Sequence, residues 1–319
     1  MRKLLICCVA VLTASSLFAQ KTAPAAAEKP AASAAALPPG APTPELMDAY
    51  FKRMFGYEPN LQIKILSITA APVPGLFDAA VVFISPDGQQ VAHWYVSADL
   101  KHVLVGEVVP FGADPFAPER AELAKSAFGP SNGPKDAKLL IVEFADLECP
   151  ACREFALTAD KLRNDFPNAR FVFQSFPLAS LHPWAVRASS YLDCIARSSD
   201  KQAFTFINAV YSHQREIESE VRKSDASGNT TIDDKAVAEQ MRRYTEWAGA
   251  DPSKVQSCAE SPATAERIKS SFAVGQSVGV TSTPTLFVNG RRIGSPGSVQ
   301  YDALKTLVSY ESDLAEAGK

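Results

Sequence analysis

The chain has 319 residues, of which 46% are hydrophobic and 21% are charged, and its formal net charge is −3 at pH 7. This composition is typical of a globular protein of about two domains, and it excludes a collagen, a coiled coil and a wholly disordered chain. Basic residues do not outnumber acidic ones, so nothing in the charge favours binding to nucleic acid, whose phosphates need basic partners.

Residues 1–19 predict a signal peptide for export. Two basic residues precede a short apolar run, and small residues follow it up to a cleavage site after Ala19. A membrane anchor is the alternative, although the apolar run is much shorter than the roughly 20 residues that a spanning helix needs. Cleavage would remove Cys7 and Cys8 and leave four of the six cysteines. The expected location is the periplasm or another exported, oxidising compartment, where disulfides persist.

Three segments of different composition follow the predicted signal peptide. Residues 20–44 are rich in Ala and Pro and predict an extended linker. Residues 45–112 predict a small α+β domain in which one helix precedes a four-stranded antiparallel meander, and residues 113–137 predict a second linker. The strand-like runs are Leu61–Thr69, Phe77–Ile84, Gln90–Val96 and Val103–Val109. The small domain contains no cysteine, and we expect His93 and His102 to be surface residues or hydrogen-bonded core residues.

Residues 138–316 predict a larger α/β domain. The almost wholly apolar run Leu139–Ala145 is typical of a strand covered on both faces, and it leads through a loop to a helix that begins at Pro150. A helical insert, 178–279, follows the second predicted strand, Arg170–Phe176. Helices of the insert are expected at Trp184–Arg197, Lys201–His213, Asp233–Ala248 and Ala263–Val278, with a polar loop near 222–232. A hairpin and a last helix are expected at Thr285–Val288, Arg291–Ile293 and Gln300–Ala315.

The chemistry is expected at the motif Cys149-Pro-Ala-Cys152. A Cys-x-x-Cys motif at a strand-to-helix junction places its first cysteine at the helix N-terminus, where free N–H groups and the helix dipole favour a thiolate. We therefore expect Cys149 to be the nucleophile and Cys152, one turn later, to resolve a mixed disulfide. A zinc half-site is an alternative, but neither Cys194 nor Cys258 belongs to a second paired motif. A purely structural disulfide is another, but so short a loop would constrain the unfolded chain little.

The motif and its surroundings resemble the DsbA-type thioredoxin-fold family. The resemblance rests on the run Leu140–Phe144, on the Cys-x-x-Cys motif and on the run Gly279–Gly290 far downstream, and it spans about 138–315, just over half of the chain. It implies an α/β thioredoxin fold with an inserted helical subdomain. It also implies that Thr283 and Pro284 are joined by a cis peptide bond facing the cysteines. The residues that it places against a bound substrate are Thr283, Pro284, Pro150 and Ala151.

The resemblance suggests roles for further residues. Glu143 matches the family's buried acid, which accepts the proton of the resolving thiol; an exposed edge position is the alternative. Similar proteins carry a second disulfide in the insert, which would pair Cys194 with Cys258; two separate free thiols are the alternative. His182 matches a family position that opens a helix, and a structural role is expected for it. Glu148 adjoins the nucleophile, and its negative charge would raise the pKa of that thiol.

Together these features predict an exported protein thiol–disulfide oxidoreductase that forms disulfides in secreted proteins. The expected partners are secreted client proteins and a membrane redox partner that recycles the enzyme, and no cofactor or metal is expected. Residues 45–112 are similar to the dimerisation domain of DsbC/DsbG-type isomerases, so a homodimeric isomerase or reductase is one alternative. A non-catalytic binding module is another, and it would need no reactive Cys149.

Overall fold

The computed structural model of the chain describes residues 37–85, 88–106, 108, 111–224 and 230–318. The predicted signal peptide and most of the first predicted linker lie outside these residues. Among the described helices, none has both the length and the apolar character needed to cross a membrane.

The small N-terminal domain consists of one helix packed on a four-stranded antiparallel sheet. Helix α1, Pro44–Phe55, begins after Thr43, whose hydroxyl accepts a hydrogen bond from an N–H of the first turn at 3.2 Å. The strands form a meander in chain order: β1 Gln62–Ala70, β2 Leu76–Ser85, β3 Gly88–Ser97 and β4 Val103–Val105. Helix α1 buries Met47 and Phe51 against the sheet, where the Phe51 ring lies edge-on to Trp94 with centroids 5.0 Å apart.

The last strand of this sheet is shorter than the sequence predicts. The apolar run predicts a strand over Val103–Val109, but β4 ends at Val105. The next residue, Gly106, has a φ of 152°, which residues with a side chain rarely adopt, and its N–H makes one more bond to the carbonyl oxygen of His93, at 3.4 Å. Residues 107 and 109 of the predicted strand lie outside the described residues. Strand β4 forms one edge of the sheet, and the side chains of Leu104 and Val105 on it are exposed.

The larger domain is built around a five-stranded mixed sheet with helices on both faces. Its elements in chain order are α2 Ala117–Ser126, β5 Ser131–Asn132, β6 Leu140–Ala145, α3 Pro150–Asp165, β7 Arg170–Ser175, α4 Ala185–Ala196, α5 Asp200–Ser212, α6 Gln214–Val221, β8 Arg222–Ser224, β9 Thr230–Ile232, α7 Asp234–Trp247, α8 Pro252–Ala259, α9 Pro262–Ser277, β10 Thr285–Val288, β11 Arg291–Ile293 and α10 Tyr301–Glu316. The strand order is β11-β10-β6-β7-β5, with β6 parallel to β7 and antiparallel to β10.

Successive residues of the central strand β6 face two separate cores. Ile141 packs with Phe155 of α3 and with α10, whereas Val142 and Phe144 pack with Leu123 of α2 on the opposite face. Every residue of β6 is buried, including Glu143, as the almost wholly apolar run predicts for the strand. This arrangement confirms the α/β class and the thioredoxin fold expected from the sequence.

The helical insert contains more regular structure than the sequence predicts. Helix α6 lies between the predicted helix Lys201–His213 and the predicted polar loop near 222–232, and the pair β8–β9 lies within that loop. Helix α6 is only eight residues long and mostly polar, and its apolar residues Ile217 and Val221 lie one turn apart, both buried. So short an amphipathic pattern gives only a weak signal for a helix in the sequence. The helix is stabilised mainly by packing its apolar residues onto the rest of the insert. The core of the insert is continuous with Cys149 and Cys152.

Candidate redox site

The Cys149–Cys152 pair lies where β6 ends and α3 begins. Cys149 is the N-cap of α3, with an extended backbone (φ −70°, ψ 122°), and Cys152 lies in the first turn of the helix. Both are free thiols; Cys152 is fully buried, and Cys149 is 4% exposed. The Cys149 thiol donates to the carbonyl oxygen of Thr283 at 3.5 Å, and the backbone N–H of Asp146 donates to the Cys152 sulfur at 3.5 Å.

The two thiols have opposite acid strengths. The hydrogen bond from the Cys152 thiol lowers the pKa of Cys149 to about 6, against the opposing effect of burial. Burial raises the pKa of Cys152 well above its usual value, and the neighbouring Cys149 raises it further. At neutral pH the pair therefore carries one thiolate, on Cys149, and one protonated thiol, on Cys152.

The loop before β10 faces the first cysteine. The peptide bond between Thr283 and Pro284 is cis, and the next residue, Thr285, pairs with Phe144 at the end of β6. This pairing places the Thr283 carbonyl beside Cys149. Within the described part of the chain, the buried Thr283 hydroxyl has no hydrogen-bond partner.

Glu143 lies in the buried central strand and not at an exposed edge. It is 2% exposed, and its Oε1 atom has no hydrogen-bond partner among the described residues. Burial raises the pKa of Glu143 to about 7, while the positive charge of Arg163 acts in the opposite direction. The charge of Glu143 in turn contributes to the raised pKa of the Cys152 thiol, so the acid and the second cysteine interact across the buried interior.

A second buried polar cluster surrounds the loop between β6 and the cysteines. Asp146 is fully buried, and its Oδ2 atom accepts hydrogen bonds from Nδ1 of His182 and from the N–H of Leu178, each at 2.8 Å. Its Oδ1 atom accepts the N–H of Glu148 at 2.8 Å. The sequence analysis did not single out Asp146 and did not place His182 near the sulfurs. A buried acid directly after a strand was the available signal.

The expectation for Glu148 needs correction. Burial raises the pKa of Glu148 to about 8, and the hydrogen bond that its Oε2 accepts from the N–H of Trp184, at 2.6 Å, opposes the rise. The carboxyl group is therefore mostly protonated at neutral pH. At neutral pH Glu148 therefore carries little negative charge, and the expected rise in the pKa of Cys149 from that charge is largely absent.

A family model described as Thioredoxin matches residues 126–309, more than half of the chain and the whole of the redox site. The chain belongs to the thioredoxin family. This membership confirms the thioredoxin-fold family that the motif Cys149–Cys152 and the downstream run containing Pro284 predict.

Two curated relatives match part of the chain. The chain is 28% identical over 181 residues to a protein named Na(+)/H(+) antiporter NhaA 3 from Salinispora tropica, and 28% identical over 181 residues to an NhaA antiporter from Herminiimonas arsenicoxydans. The match covers 56% of this chain in each case, but only 24% and 25% of those relatives, so the chain spans about a quarter of their length.

Two solved structures also align with the chain. BdbD from Bacillus subtilis, in its oxidised form, is 17% identical, with 59% of this chain and 94% of that chain covered and a TM-score of 0.47. The catalytic domain of ScsC from Proteus mirabilis is 18% identical, with 61% and 98% covered and a TM-score of 0.45.

In this thioredoxin-family chain, the helical insert directly supports the redox loop. The side-chain amide of Gln214, at the start of α6, donates to the carbonyl oxygens of Leu147 and Cys149 at 3.0 and 3.1 Å. Its Oε1 atom accepts a hydrogen bond from Arg153 at 3.1 Å. The hydroxyl of Tyr211 donates to the carbonyl oxygen of Asp146 at 3.3 Å. Sequence analysis missed these residues because no local pattern links α5 and α6 to a loop more than 60 residues away.

The other two cysteines among the described residues are joined within the insert. A disulfide links Cys194 of α4 to Cys258 of α8 across a sequence separation of 64. Cys194 is almost fully buried, and its sulfur lies 3.5 Å from the hydroxyl of Thr264 at the start of α9. The bridge thus lies where three helices of the insert meet.

No group of three or more His, Cys, Asp or Glu residues within the described ranges is arranged to hold a metal ion. The four cysteines that the structure describes lie in two separate pairs, one of reduced thiols and one of bridged sulfurs.

Proposed function

We propose that the chain is an exported thiol–disulfide oxidoreductase that forms disulfide bonds in secreted proteins. The observation that carries this proposal is the contrast between the two thiols at the start of α3, where the pKa of Cys149 is lowered to about 6 and that of Cys152 is raised. A stable Cys149 thiolate favours the reduced form of the pair, and a pair whose reduced form is stabilised is an oxidant toward other thiols.

The reaction begins with the oxidised pair. A client thiolate attacks the Cys149 sulfur, the bond between Cys149 and Cys152 breaks, and its electron pair leaves on Cys152, which takes a proton from Glu143. A second client thiolate attacks the client sulfur of this mixed disulfide, forms the client disulfide and releases Cys149 as a thiolate. Two electrons pass from the client to the cysteine pair, and a membrane redox partner would remove them.

Substrate contact is assigned to the residues around Cys149. The carbonyl oxygen of Thr283, beside the Cys149 sulfur, is the acceptor that an extended client backbone would meet, and Pro284 forms the adjoining wall. Pro150 and Ala151 lie on the exposed side of the first turn of α3. Export through the predicted signal peptide would bring the chain to clients that need disulfides.

The test uses single and double cysteine variants with a reduced, unfolded client. Cys149→Ser should abolish client oxidation, and Cys152→Ser should trap mixed disulfides, because the nucleophile stays reactive and its resolving thiol is gone. The double variant is the matched control and should trap nothing. If Cys152→Ser accumulates no adducts that a reductant reverses, the assignment of the two roles is wrong.

A second candidate function is disulfide isomerisation, favoured by one contact between the domains. Nε2 of His93, on β3 of the small sheet, lies 2.8 Å from the hydroxyl of Thr281, just before the cis-proline loop, and Nδ1 of His93 is held by Asp78 at 2.8 Å. The small domain therefore lies beside the groove where a client would bind. In addition, the exposed edge strand β4 could pair with a second copy, as edge strands readily do.

Deleting residues 20–112 separates the two functions. Simple dithiol oxidation should remain nearly intact, because every residue placed at the redox site lies outside the deletion. If the small domain dimerises the chain, the truncated protein should form fewer dimers than the full-length protein. If it dimerises the chain or holds clients, the truncated protein should also be less able to rescue scrambled disulfides. Equal rescue by the truncated and full-length proteins would favour the plain oxidase.

A further inference from the structure

The buried pair of Asp146 and His182 is not used by the thiol–disulfide exchange as written above. Both side chains are buried, and the pair lies between the end of β6 and the start of α4. The same residue, Asp146, also meets the cysteines, because its backbone N–H donates to the Cys152 sulfur at 3.5 Å and its carbonyl oxygen accepts the N–H of Cys149 at 3.1 Å. The imidazole of His182 is thus fixed to the loop that carries the reactive thiol.

The contacts of Asp146 favour an ion pair. Its carboxylate accepts three hydrogen bonds, two from backbone N–H groups and one from His182. A fully buried carboxylate is tolerated when such donors satisfy it and an opposite charge lies beside it. Protonated His182 is the neighbour that supplies this charge through a hydrogen bond.

The charges around His182 also favour its protonated form. Burial alone would lower the pKa of His182, but the hydrogen bond and charge of Asp146, followed by the charges of Cys149 and Glu148, raise it overall. The other titratable groups around the pair are Glu143 on β6, Cys152 on α3, Tyr211 on α5 and Glu218 on α6. Glu148 is mostly neutral near pH 7, so the anions next to His182 are Asp146 and the Cys149 thiolate.

We propose that His182, held as a cation by Asp146, is a positioning residue whose charge adds to the stability of the Cys149 thiolate and so raises the oxidising strength of the pair. The proposal rests on the proposed function and extends it. The dipeptide between the cysteines, Pro150-Ala151, carries no charge, so a cation that acts on the thiolate must come from outside the motif. A fixed positive charge in a poorly solvated site stabilises an adjacent anion more than the same charge would in water.

The first test measures the thiolate of Cys149 in three variants. His182→Gln keeps a hydrogen-bond donor but removes the charge, and Asp146→Asn removes the anion that holds it. Each should move the pKa of Cys149 from about 6 to about 7, followed by thiolate absorbance in the ultraviolet. The equilibrium constant with glutathione at pH 7 should shift about fivefold toward the oxidised pair. His102→Gln, at a histidine whose side chain is 75% exposed, is the matched control and should change neither quantity.

A merely structural role for His182 gives a different result. It would lower the unfolding temperature of His182→Gln but leave the thiolate pKa and the glutathione equilibrium at the wild-type values, which overturns the proposal. If the wild type itself has no thiolate of low pKa, the proposed oxidase function fails as well. A normal wild-type thiolate combined with an unchanged variant refutes this inference alone.

The second test needs no variant of uncertain folding. If the His182 cation stabilises the Cys149 thiolate, the thiolate must stabilise the cation by the same factor. The pKa of His182 can be followed in the full wild-type chain by NMR of the imidazole signals. It should be about one unit higher in the reduced than in the oxidised protein, which is a tenfold difference in proton affinity. Equal values in the two redox states would overturn the proposal.

Discussion

Replacing the buried acid, Glu143→Gln, should remove a large part of the pH dependence of stability. Burial raises the pKa of Glu143 to about 7 from an ordinary value of 4.5. Between these two values the folded protein holds a proton that the unfolded chain has released, so the free energy of unfolding falls as the pH rises. This destabilisation by Glu143 is absent below about pH 4 and reaches its full size above about pH 8.

The size of the effect follows from the shift in pKa. A difference of one pKa unit corresponds to about 1.4 kcal/mol, so a carboxyl group shifted from 4.5 to about 7 costs the folded state about 3 kcal/mol once it is ionised. Glu143 is fully buried, so solvent screening does not reduce this cost. Glutamine does not titrate, and the variant should therefore lose about 2.5 kcal/mol less stability than the wild type between pH 5 and pH 8, since a small part of the cost is already present at pH 5.

The assay is urea unfolding of the oxidised proteins at the two pH values. Oxidation removes the titration of Cys149 and Cys152, and other groups such as His182 titrate alike in both proteins and cancel in the difference. Glu266→Gln, at a side chain that is 70% exposed, is the control and should follow the wild type. An equal loss of stability in wild type and Glu143→Gln would refute the argument. The variant should also resolve mixed disulfides more slowly, because Cys152 loses its proton acceptor and donor.

Three further predictions concern the insert and the reactive thiol. Removing the disulfide with Cys194→Ser and Cys258→Ser should lower the free energy of unfolding by about 4 kcal/mol, because the bridge closes a loop across 64 residues; a loss below 1 kcal/mol in urea unfolding would contradict this. Mild reductant should open the Cys149–Cys152 pair while mass spectrometry still finds the other bridge closed; joint opening would be the contrary result. Alkylation of the reduced chain at pH 5 should be about a thousandfold faster than that of a thiol of ordinary pKa near 9, whereas a binding module without a reactive cysteine would show no such rate.

Gln214→Leu tests how far the insert supports the redox loop. The substitution should leave the carbonyl oxygens of Leu147 and Cys149 without their side-chain donor. Oxidation kinetics should then show a clear rise in the KM for clients, while thermal unfolding shows only a small loss of stability.

The parts of the fold that repeat a simple pattern are predictable from the sequence. The almost wholly apolar run Leu139–Ala145 predicts a buried strand. The Asn289-Gly290 pair predicts a tight hairpin turn, in which both residues have positive φ values, 49° and 88°. Helix ends are predictable to within one or two residues where caps are clear, as at Ser199 before α5. By contrast, the sequence does not mark the end of β4 at Val105, because the strand-like run continues to Val109.

The immediate redox motif is predictable, but its surroundings are not. The position of Cys149 at a helix N-terminus follows from local order alone. The contacts of Asp146, His182 and Gln214 depend on how an insert of about a hundred residues folds back, and no spacing in the sequence encodes that distance. The state of Glu148 was misjudged because its burial comes from the same insert.

Helix α4 separates the two sulfur pairs of this chain. The residue before the helix, Trp184, donates its N–H to Glu148 beside the reactive pair, and Cys194 near the other end carries the structural bridge. Ten residues of helix rise about 15 Å, several times the reach of a sulfur–sulfur exchange. A protein that exchanges disulfides must not scramble its own, and a rigid helix between its two cysteine pairs keeps the reactive sulfur from ever meeting the structural one while the chain stays folded.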